Sequence, residues 1–308
     1  MKAVICTKYG APEKALKIAE VKKPTPKANE VLIKVYATTA HIGDARIRKA
    51  DPFFARFVFG FFKPKKNLVL GMEVSGEIET VGKNVKCFKK GDKVFAFTGF
   101  SLGGYSEYKC LPEKSKSFFR NGLLALKPEN LSFQEATTIP AGGLTALKNL
   151  QKANISKGQK ILINGASGSL GTFAIQLAKY YRAEVTAVCS EKNFELVNSI
   201  GADKVIDYTK EDFTKSNEKY DIVYDAIVKS TKFRCKRILN RNGIYTNNSQ
   251  LPKTEEKDLL FLKELIENNK LKPVIDRVYS IDEIVDAHKY VDTGRKRGNV
   301  VIRIIDSE

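Results

Sequence analysis

The chain has 308 residues, which is enough for two domains with cores of their own. Hydrophobic residues make up 43% and charged residues 29%, a globular composition that argues against a disordered chain. The five cysteines are dispersed without a C-x-x-C pair, which argues against a cysteine-rich zinc site and predicts reduced thiols in a cytoplasmic protein. The N-terminus lacks the apolar core of a signal peptide, and no apolar run approaches the length of a membrane span.

The formal net charge is +18, from 53 lysines and arginines against 35 acidic residues. A charge of this sign attracts nucleic acid, anionic lipid or an acidic carrier. The lysines are spread along the whole chain, and no nucleic-acid-binding motif accompanies them. We therefore interpret the charge as a solvated basic surface and expect no nucleic-acid partner. Such a surface would still favour a cofactor that bears phosphates.

The first 115 or so residues predict a β-rich region. Alternating apolar and polar residues at 30–36 and 76–81, separated by Gly, Pro and Asn turns, are typical of strands. A further strand is expected at 91–97, after a tight turn. The pattern changes near Ser132, where Ser132 and Glu135 have the spacing of a helix capping box.

From residue 157 to about 250, predicted strands alternate with predicted helices. The strands are expected at 160–164, 184–189, 204–206, 221–226 and 243–245, with helices at 170–181 and 193–200. Short strands with crossover helices imply a parallel, doubly wound α/β sheet. The tail returns to helices and β structure at 259–268, 272–278, 281–293 and 299–305.

A glycine-rich turn follows the first strand of this alternating region. Ala166-x-Gly168-x-x-Gly171 is the G-x-G-x-x-G fingerprint with alanine at its first position. Gly168 would let the backbone approach a pyrophosphate, and Gly171 would let the helix pack close to the strand. The turn therefore predicts a dinucleotide site. The residues expected against the phosphates are Ser167, Gly168, Ser169 and Leu170.

The choice between NADPH and NADH is expected at the end of the second strand of this region, because the ribose 2′ position binds there. The sequence at that point is Cys189-Ser190-Glu191-Lys192. The hydroxyl of Ser190 and the ammonium of Lys192 are available for a 2′-phosphate, which favours NADPH. Glu191 leaves NADH open, since an acidic side chain could bind the free 2′-hydroxyl.

Seven segments in order along the chain resemble one known family, the zinc-independent medium-chain dehydrogenase/reductases of the quinone oxidoreductase (zeta-crystallin-like) and enone reductase branch. Besides the fingerprint, these are Gly71-Met-Glu-Val-Ser-Gly76, Gly91-Asp-Lys-Val94, Gly103-Gly-Tyr-Ser-Glu-Tyr108, Ile139-Pro-Ala-Gly-Gly-Leu-Thr-Ala146, Gly201-Ala-Asp-Lys-Val-Ile-Asp-Tyr208 and Arg297-Gly-Asn-Val-Val-Ile302. The resemblance implies a GroES-like catalytic domain at 1–120, completed by 273–308, and a Rossmann NAD(P)-binding domain at 121–272.

Two departures from the wider superfamily bear on function. The positions of the catalytic zinc ligands in its alcohol dehydrogenases correspond here to His41, Met72 and Ala141. A thioether is a poor zinc ligand and alanine is none, so we expect no metal. The segment after Gln250 is also shorter than in relatives, which carry a further helix and an edge strand there. At ordinary element lengths these two elements take roughly two dozen residues. Because that strand commonly pairs across a dimer two-fold, the usual homodimer is in doubt.

The resemblance also implies candidate site residues. His41 lies in the loop that faces the nicotinamide and could donate a hydrogen bond or a proton; Tyr105 could reach the substrate pocket or lie in the core. For the cofactor, the family pattern adds Thr145, Tyr208 and Asn299 to Ser190 and Lys192. A structural role is expected for His288 and for Asp44.

Residues 53–62 hold six of the eighteen phenylalanines. The resemblance places this segment beside the active-site cleft, which favours an apolar wall and lid over the substrate. A dimer or membrane patch stays open, because Lys63, Lys65 and Lys66 follow. We expect no stable membrane insertion.

The sequence therefore predicts an NADPH-dependent oxidoreductase that transfers hydride to a small quinone or α,β-unsaturated carbonyl, since such acceptors need no Lewis acid. Two alternatives are an enoyl-thioester reductase acting on coenzyme A or carrier-protein substrates, and a non-catalytic NADPH-binding sensor.

Overall fold

The computed structural model describes residues 1–115, 122–249 and 253–305. The chain divides into two compact units. Unit 1 comprises Met1–Ala141, Glu255–Lys263 and Ile275–Glu308, and unit 2 comprises Gly142–Thr254 and Glu264–Val274. The domain boundaries expected at 120 and 272 stay a prediction.

The strands, numbered along the described part of the chain, have the following bounds: β1 (Lys2–Cys6), β2 (Leu16–Glu20), β3 (Glu30–Thr39), β4 (Leu68–Val69), β5 (Glu73–Val81), β6 (Lys93–Phe97), β7 (Tyr108–Pro112), β8 (Leu123–Leu126), β9 (Lys160–Asn164), β10 (Glu184–Cys189), β11 (Lys204–Asp207), β12 (Tyr220–Asp225), β13 (Leu239–Asn247), β14 (Ile275–Ser280) and β15 (Asn299–Arg303).

The α-helices of the described residues are Pro12–Ala15, Ile42–Lys49, Ala55–Phe59, Phe133–Ala136, Ile139–Lys152, Ser169–Tyr180, Phe194–Ser199, Lys232–Cys235, Glu256–Glu267 and Ile284–Asp292. The predicted capping box is confirmed: the Ser132 hydroxyl accepts from the Glu135 amide at 3.2 Å, and Glu135 accepts from the Ser132 amide at 2.8 Å. Within the described ranges, no helix is long and apolar enough to cross a membrane.

Unit 1 is a β structure built mainly from antiparallel pairs. Its larger sheet has the order β14-β15-β3-β5-β6-β8, with β7 also paired to β3, and a smaller sheet has the order β2-β1-β4. The strand β15 lies antiparallel to β3, so the C-terminal tail completes the sheet that the N-terminal part begins. Alternation along β3 places Val31, Ile33 and Val35 fully in the core.

Unit 2 has a parallel sheet in the order β11-β10-β9-β12-β13, which confirms the doubly wound α/β fold. Leu162, Val188 and Val223 on three neighbouring strands form part of its core. The strand order reverses between β9 and β12, and ligands of such sheets bind outside the carboxyl ends of the strands at this point. The turn after β9 therefore lies where a dinucleotide binds.

The sheet of unit 2 ends at β13 within the described residues, because none of their strands pairs with the outer edge of β13. Gln250, where the shortened path begins, lies outside the described residues. The next described helix, Glu256–Glu267, follows without a further strand in those ranges.

Candidate functional site

The glycine turn of unit 2 is a tight connection that leaves a helix N-terminus facing open space. β9 ends at Asn164, Gly165 has a positive φ of +79°, and Gly168 is the N-cap of helix Ser169–Tyr180. A Cβ at Gly171 would lie 2.5 Å from the Ala166 oxygen and collide with it, so this helix must pack against the turn through glycine. A Cβ at Gly168 would meet only the Gly165 oxygen at 3.5 Å, which leaves room for a ligand there.

One buried hydroxyl in this turn has no hydrogen-bond partner among the described residues. The Ser169 side chain is 4% exposed, and its Oγ makes no hydrogen bond to the described residues. A Cβ at Gly142 would lie 2.5 Å from this oxygen, so a glycine is needed beside it. A buried hydroxyl at a helix N-terminus is satisfied by a phosphate oxygen. The turn therefore fits the pyrophosphate of a dinucleotide.

A residue that the sequence did not single out joins this turn to the predicted ribose site. Asn193 is 6% exposed, and its Nδ2 donates to the Ser167 Oγ at 3.0 Å and lies 3.2 Å from the Ser190 Oγ. The amide thus holds the phosphate turn and the end of β10 in one geometry. Asn193 directly precedes helix Phe194–Ser199, and an asparagine is common at that position of a helix. Nothing in the sequence therefore distinguishes it as a residue that connects two parts of a binding site.

The acidic residue that left NADH open is already paired. Glu191 accepts from the Lys210 ammonium at 2.6 Å, and both side chains are exposed. Lys192 is exposed beside it and forms no ion pair with the described residues, so a cationic group lies near Ser190. This arrangement favours a 2′-phosphate over a free 2′-hydroxyl. Tyr208, after β11, is 59% exposed near the same edge.

The other predicted cofactor residues lie on different elements. Thr145 is half-buried in helix Ile139–Lys152, where its carbonyl accepts from the Asn149 amide at 2.9 Å. Asn299 belongs to unit 1, on β15, and is 3% exposed. The structure thus groups Ser167, Ser190 and Lys192 around Asn193, whereas the roles of Thr145 and Asn299 stay predictions.

Unit 1 brings His41 and Met72 together around one glycine. His41 is the N-cap of helix Ile42–Lys49, and its Nδ1 accepts from the Gly43 amide at 3.0 Å. A Cβ at Gly43 would lie 3.0 Å from this Nδ1 and 2.6 Å from the Met72 sulfur. Burial and, secondarily, the charge of Lys296 lower the pKa of His41 to about 3. The imidazole is therefore neutral at pH 7, and its proton is on Nε2 because Nδ1 accepts a hydrogen bond.

Glu73 is a buried carboxylate beside this pair. Its Oε2 accepts from the Thr39 hydroxyl at 2.5 Å, and its Oε1 accepts from the Ala141 amide at 2.7 Å. Burial raises the pKa of Glu73 to about 7, against the lowering effect of these hydrogen bonds. The third zinc-ligand position, Ala141, thus contributes only its backbone to this site.

Lys296 is a second residue that the sequence did not identify. Its Nζ donates to the Gly298 carbonyl at 2.6 Å, and it lies close enough to His41 and Glu73 for the charges to interact. Burial lowers the pKa of Lys296 to about 8, against the raising effect of Glu73. Lys296 is the middle one of three consecutive basic residues, and such a run is typical of a solvated surface. For this reason the sequence did not identify it as a site residue.

Tyr105 lies in the core of unit 1 rather than at an open surface. It is 0% exposed, and its hydroxyl lies 3.0 Å from His288 Nε2. The Arg48 Nε donates to His288 Nδ1 at 3.3 Å, so the ring proton of a neutral His288 is on Nε2, pointing at Tyr105. Burial, together with the charge of Asp44, raises the pKa of Tyr105 well above its usual value. These contacts favour the core-facing alternative, and a catalytic role for Tyr105 stays a prediction.

Asp44 is a buried carboxylate near Tyr105. Its Oδ1 accepts from the Gly71 amide at 2.8 Å, and its charge acts on the Tyr105 hydroxyl. Burial raises the pKa of Asp44 to about 7. Asp44 therefore connects helix Ile42–Lys49, which carries His41 at its start, to the segment before Met72. It holds the loop, as the sequence predicted.

The donor set in unit 1 does not fit a catalytic zinc ion. Zinc sites take imidazole, thiolate or carboxylate ligands in a tetrahedral arrangement. Met72 offers a thioether, and Ala141 offers no side-chain donor. Among the described residues, no group of three His, Cys, Asp or Glu side chains is arranged to hold a metal.

The comparisons with known proteins agree on one superfamily. The chain matches the Alcohol dehydrogenase GroES-like domain over residues 27–119 and the Zinc-binding dehydrogenase family over residues 244–302. It is 34% identical to the 2-methylene-furan-3-one reductase of Solanum lycopersicum, over 99% of this chain and 79% of that protein. It is 33% identical to the chloroplastic NADPH-dependent alkenal/one oxidoreductase of Arabidopsis thaliana, over 98% and 79% respectively.

A solved structure gives the same result for the fold. The quinone oxidoreductase from Coxiella burnetii has a TM-score of 0.88 and 28% identity, with 99% of each chain covered.

The Asn193 bridge can be tested by Asn193→Ala. We expect the KM for NADPH to rise about tenfold, because two hydrogen bonds of ordinary strength hold the two serines in place. The value of kcat should change less, since Asn193 orders only the binding region. Steady-state kinetics with varied NADPH measures both, and Asn198→Ala, an exposed asparagine of the next helix, is the matched control. An unchanged KM would show that the bridge does not shape the cofactor site.

The core position of Tyr105 can be tested by Tyr105→Phe. We expect a loss of about 1–3 kcal/mol in the free energy of unfolding, because the change leaves the Nε2–H of His288 without a partner in the interior. Urea denaturation measures it, with Tyr180→Phe, which is 43% exposed, as the control. Unchanged stability with a large fall in kcat would instead support the catalytic role.

Proposed function

Because the chain belongs to the quinone oxidoreductase and enone reductase branch of the medium-chain dehydrogenase/reductases, we propose that it reduces quinones or α,β-unsaturated carbonyls with NADPH and without zinc. The observation that carries the choice of reaction is the set His41, Met72 and Ala141, which cannot complete a zinc site. Alcohol oxidation in this superfamily depends on a Lewis acid. A conjugated acceptor delocalises the charge onto its own oxygen and needs none.

We assign cofactor binding to unit 2 and substrate chemistry to unit 1. The turn residues Ser167, Gly168, Ser169 and Leu170 would hold the pyrophosphate, and the unpartnered Ser169 hydroxyl supports this role. Ser190 and Lys192 would bind the 2′-phosphate, with Asn193 fixing Ser190 in position. When bound, NADPH supplies the hydride for the reduction.

His41 is suited to bind the oxygen of the acceptor. Its Nδ1 is occupied by the Gly43 amide, so its Nε2–H is the group left to donate. Since the pKa of His41 is lowered to about 3, the ring carries no second proton to give at pH 7. We therefore assign it a hydrogen bond that stabilises negative charge on the acceptor oxygen.

Lys296 supplies the positive charge and the proton at this site. An ammonium that interacts with His41 and Glu73 would attract an oxygen that becomes negative during hydride transfer. With its pKa lowered to about 8, Lys296 is protonated at pH 7 and close to the value that suits a general acid. Glu73 accepts from Thr39 and Ala141 and keeps the ammonium in place through its charge.

An acceptor panel tests the reaction. We expect rapid NADPH oxidation with a benzoquinone or an alkenal and slower oxidation with an enoyl-CoA. We also expect slower turnover with NADH than with NADPH, because Lys192 is available to bind a 2′-phosphate whereas Glu191 is paired with Lys210. A zinc chelator should leave the rate unchanged. In every assay, the rate of cofactor oxidation is measured from the absorbance of the reduced nicotinamide.

Each of the other outcomes of the panel indicates a different function. A preference for enoyl-CoA would assign the enoyl-thioester activity, and NADPH binding without turnover on any acceptor would indicate a sensor. Zinc-dependent oxidation of an alcohol would contradict the metal-free mechanism.

The role of Lys296 is tested by a pH profile. In the wild type, kcat/KM should fall above about pH 8, because the ammonium loses its proton. Lys296→Met should lower kcat/KM by roughly 10²–10⁴-fold and remove that alkaline fall, as expected for loss of a general acid. Lys296→Arg should keep the charge and move the fall to higher pH. Exposed Lys289→Met is the control. An alkaline fall that persists in Lys296→Met would mean that another group titrates there.

A further inference from the structure

Residues 51–66 of unit 1 form a projection that we name the aromatic wedge. It contains the short helix Ala55–Phe59 and the segment that follows it up to Lys66. Five of its phenylalanines are exposed, at 60, 68, 71, 44 and 89% for Phe53, Phe54, Phe57, Phe61 and Phe62. Val58 is a further exposed apolar residue, at 52%. Proteins that stay in water rarely present so large an apolar patch.

The wedge is anchored at its base, so the exposure is a feature of its fold. Phe59 is 7% exposed and packs against Phe100, with ring centroids 6.2 Å apart. The Tyr9 hydroxyl donates to the Gly60 carbonyl at 2.6 Å, and Pro64 is buried. One phenylalanine therefore serves as the anchor while its five neighbours face solvent.

The exposed rings form a connected group. The Phe61 ring contacts those of Phe53, Phe57 and Phe62 at centroid distances of 6.1, 5.4 and 5.0 Å. The Arg56 guanidinium lies 5.2 Å from the Phe53 ring centroid. Contacts of this kind order the rings into one apolar tip.

Basic residues lie next to the exposed phenylalanines in the sequence. The wedge carries Arg56, Lys63, Lys65 and Lys66, and its acidic counterpart is Asp51, so its net charge is +3. The three lysines are exposed. We name these four basic residues the collar. A purely apolar occupant, such as a quinone ring, would gain nothing from their positive charge. Anionic lipid headgroups match the lysines, and aromatic rings favour the headgroup level of a bilayer.

We propose that the aromatic wedge docks this protein on the surface of an anionic lipid bilayer, with its phenylalanine rings inserted at the headgroup level and its lysines against lipid phosphates. The rings would supply apolar contact, and the collar would supply attraction that weakens as salt rises. This surface is separate from the proposed catalytic cluster, since it shares none of that cluster's residues.

Vesicle flotation of the full chain tests the proposal. We expect the protein to float with vesicles that contain phosphatidylglycerol, to float far less with phosphatidylcholine alone, and to lose binding as salt is raised. The double variant Phe57→Ser/Phe62→Ser should bind at least about tenfold more weakly, because it removes two of the most exposed rings. Lys63→Glu/Lys65→Glu should lose the preference for anionic lipid.

Phe233→Ser is the matched control, since Phe233 is 86% exposed in unit 2 and should not affect flotation. Absence of wild-type flotation, or an equal loss in Phe233→Ser, would overturn the proposal. A raised KM for a water-soluble acceptor in the wedge variant, with vesicle binding intact, would instead show that the wedge is a substrate lid. A change in sedimentation that accompanies loss of the rings, without vesicle binding, would show a contact between copies of the chain.

Discussion

Among the described residues of unit 1, Asp44 and Glu73 are fully buried carboxylates, and the rest of the site depends on how those two groups are satisfied. Burying a carboxylate favours its protonated form, which is why the pKa of each is raised to about 7. Glu73 is supported by a hydroxyl, a backbone amide and the charge of Lys296. In zinc-bearing relatives a divalent cation would dominate the electrostatics of such a site. Here Lys296 provides the nearby positive charge.

Asp44 accepts from the Gly71 amide and lies near a set of hydrogen bonds with a defined direction. Arg48 donates to His288, and the Nε2–H of His288 donates to the Tyr105 hydroxyl, whose pKa is raised in part by the charge of Asp44. Arg48 also forms a 2.6 Å ion pair with Asp292. The hydrogen bond between Arg48 and His288 joins residues that are 240 positions apart in the sequence. It connects the helix that begins after His41 to the C-terminal part of unit 1. The position of the helix that begins after His41 therefore depends on groups from distant parts of the chain.

The sequence predicted what depends on local pattern. Strands β9 and β10 were predicted residue for residue, because an apolar run and a glycine turn are short-range signals. Strand β13 was predicted too short, since the residues after Leu239 resemble a turn. Leu239 pairs with Tyr220, the register then shifts, and regular pairing with β12 resumes at Ile244. Asn193 and Lys296 escaped detection for a different reason. Their roles arise from partners brought close only by the tertiary fold, and nothing about an isolated asparagine or lysine marks such a partner.

The residues of β13 bear on how copies of this protein could associate. Asn240, Arg241 and Asn242 are exposed along the first half of the strand, and the Asn240 amide donates to Asp221 Oδ1 at 2.7 Å. Charged and polar side chains at a sheet edge oppose pairing with another strand, because pairing would desolvate them. Because the pairing with β12 is interrupted between Leu239 and Ile244, these residues also lie in an irregular part of the strand. Within the described residues, this edge of the sheet therefore combines a charge with an irregularity, and both oppose the addition of another strand.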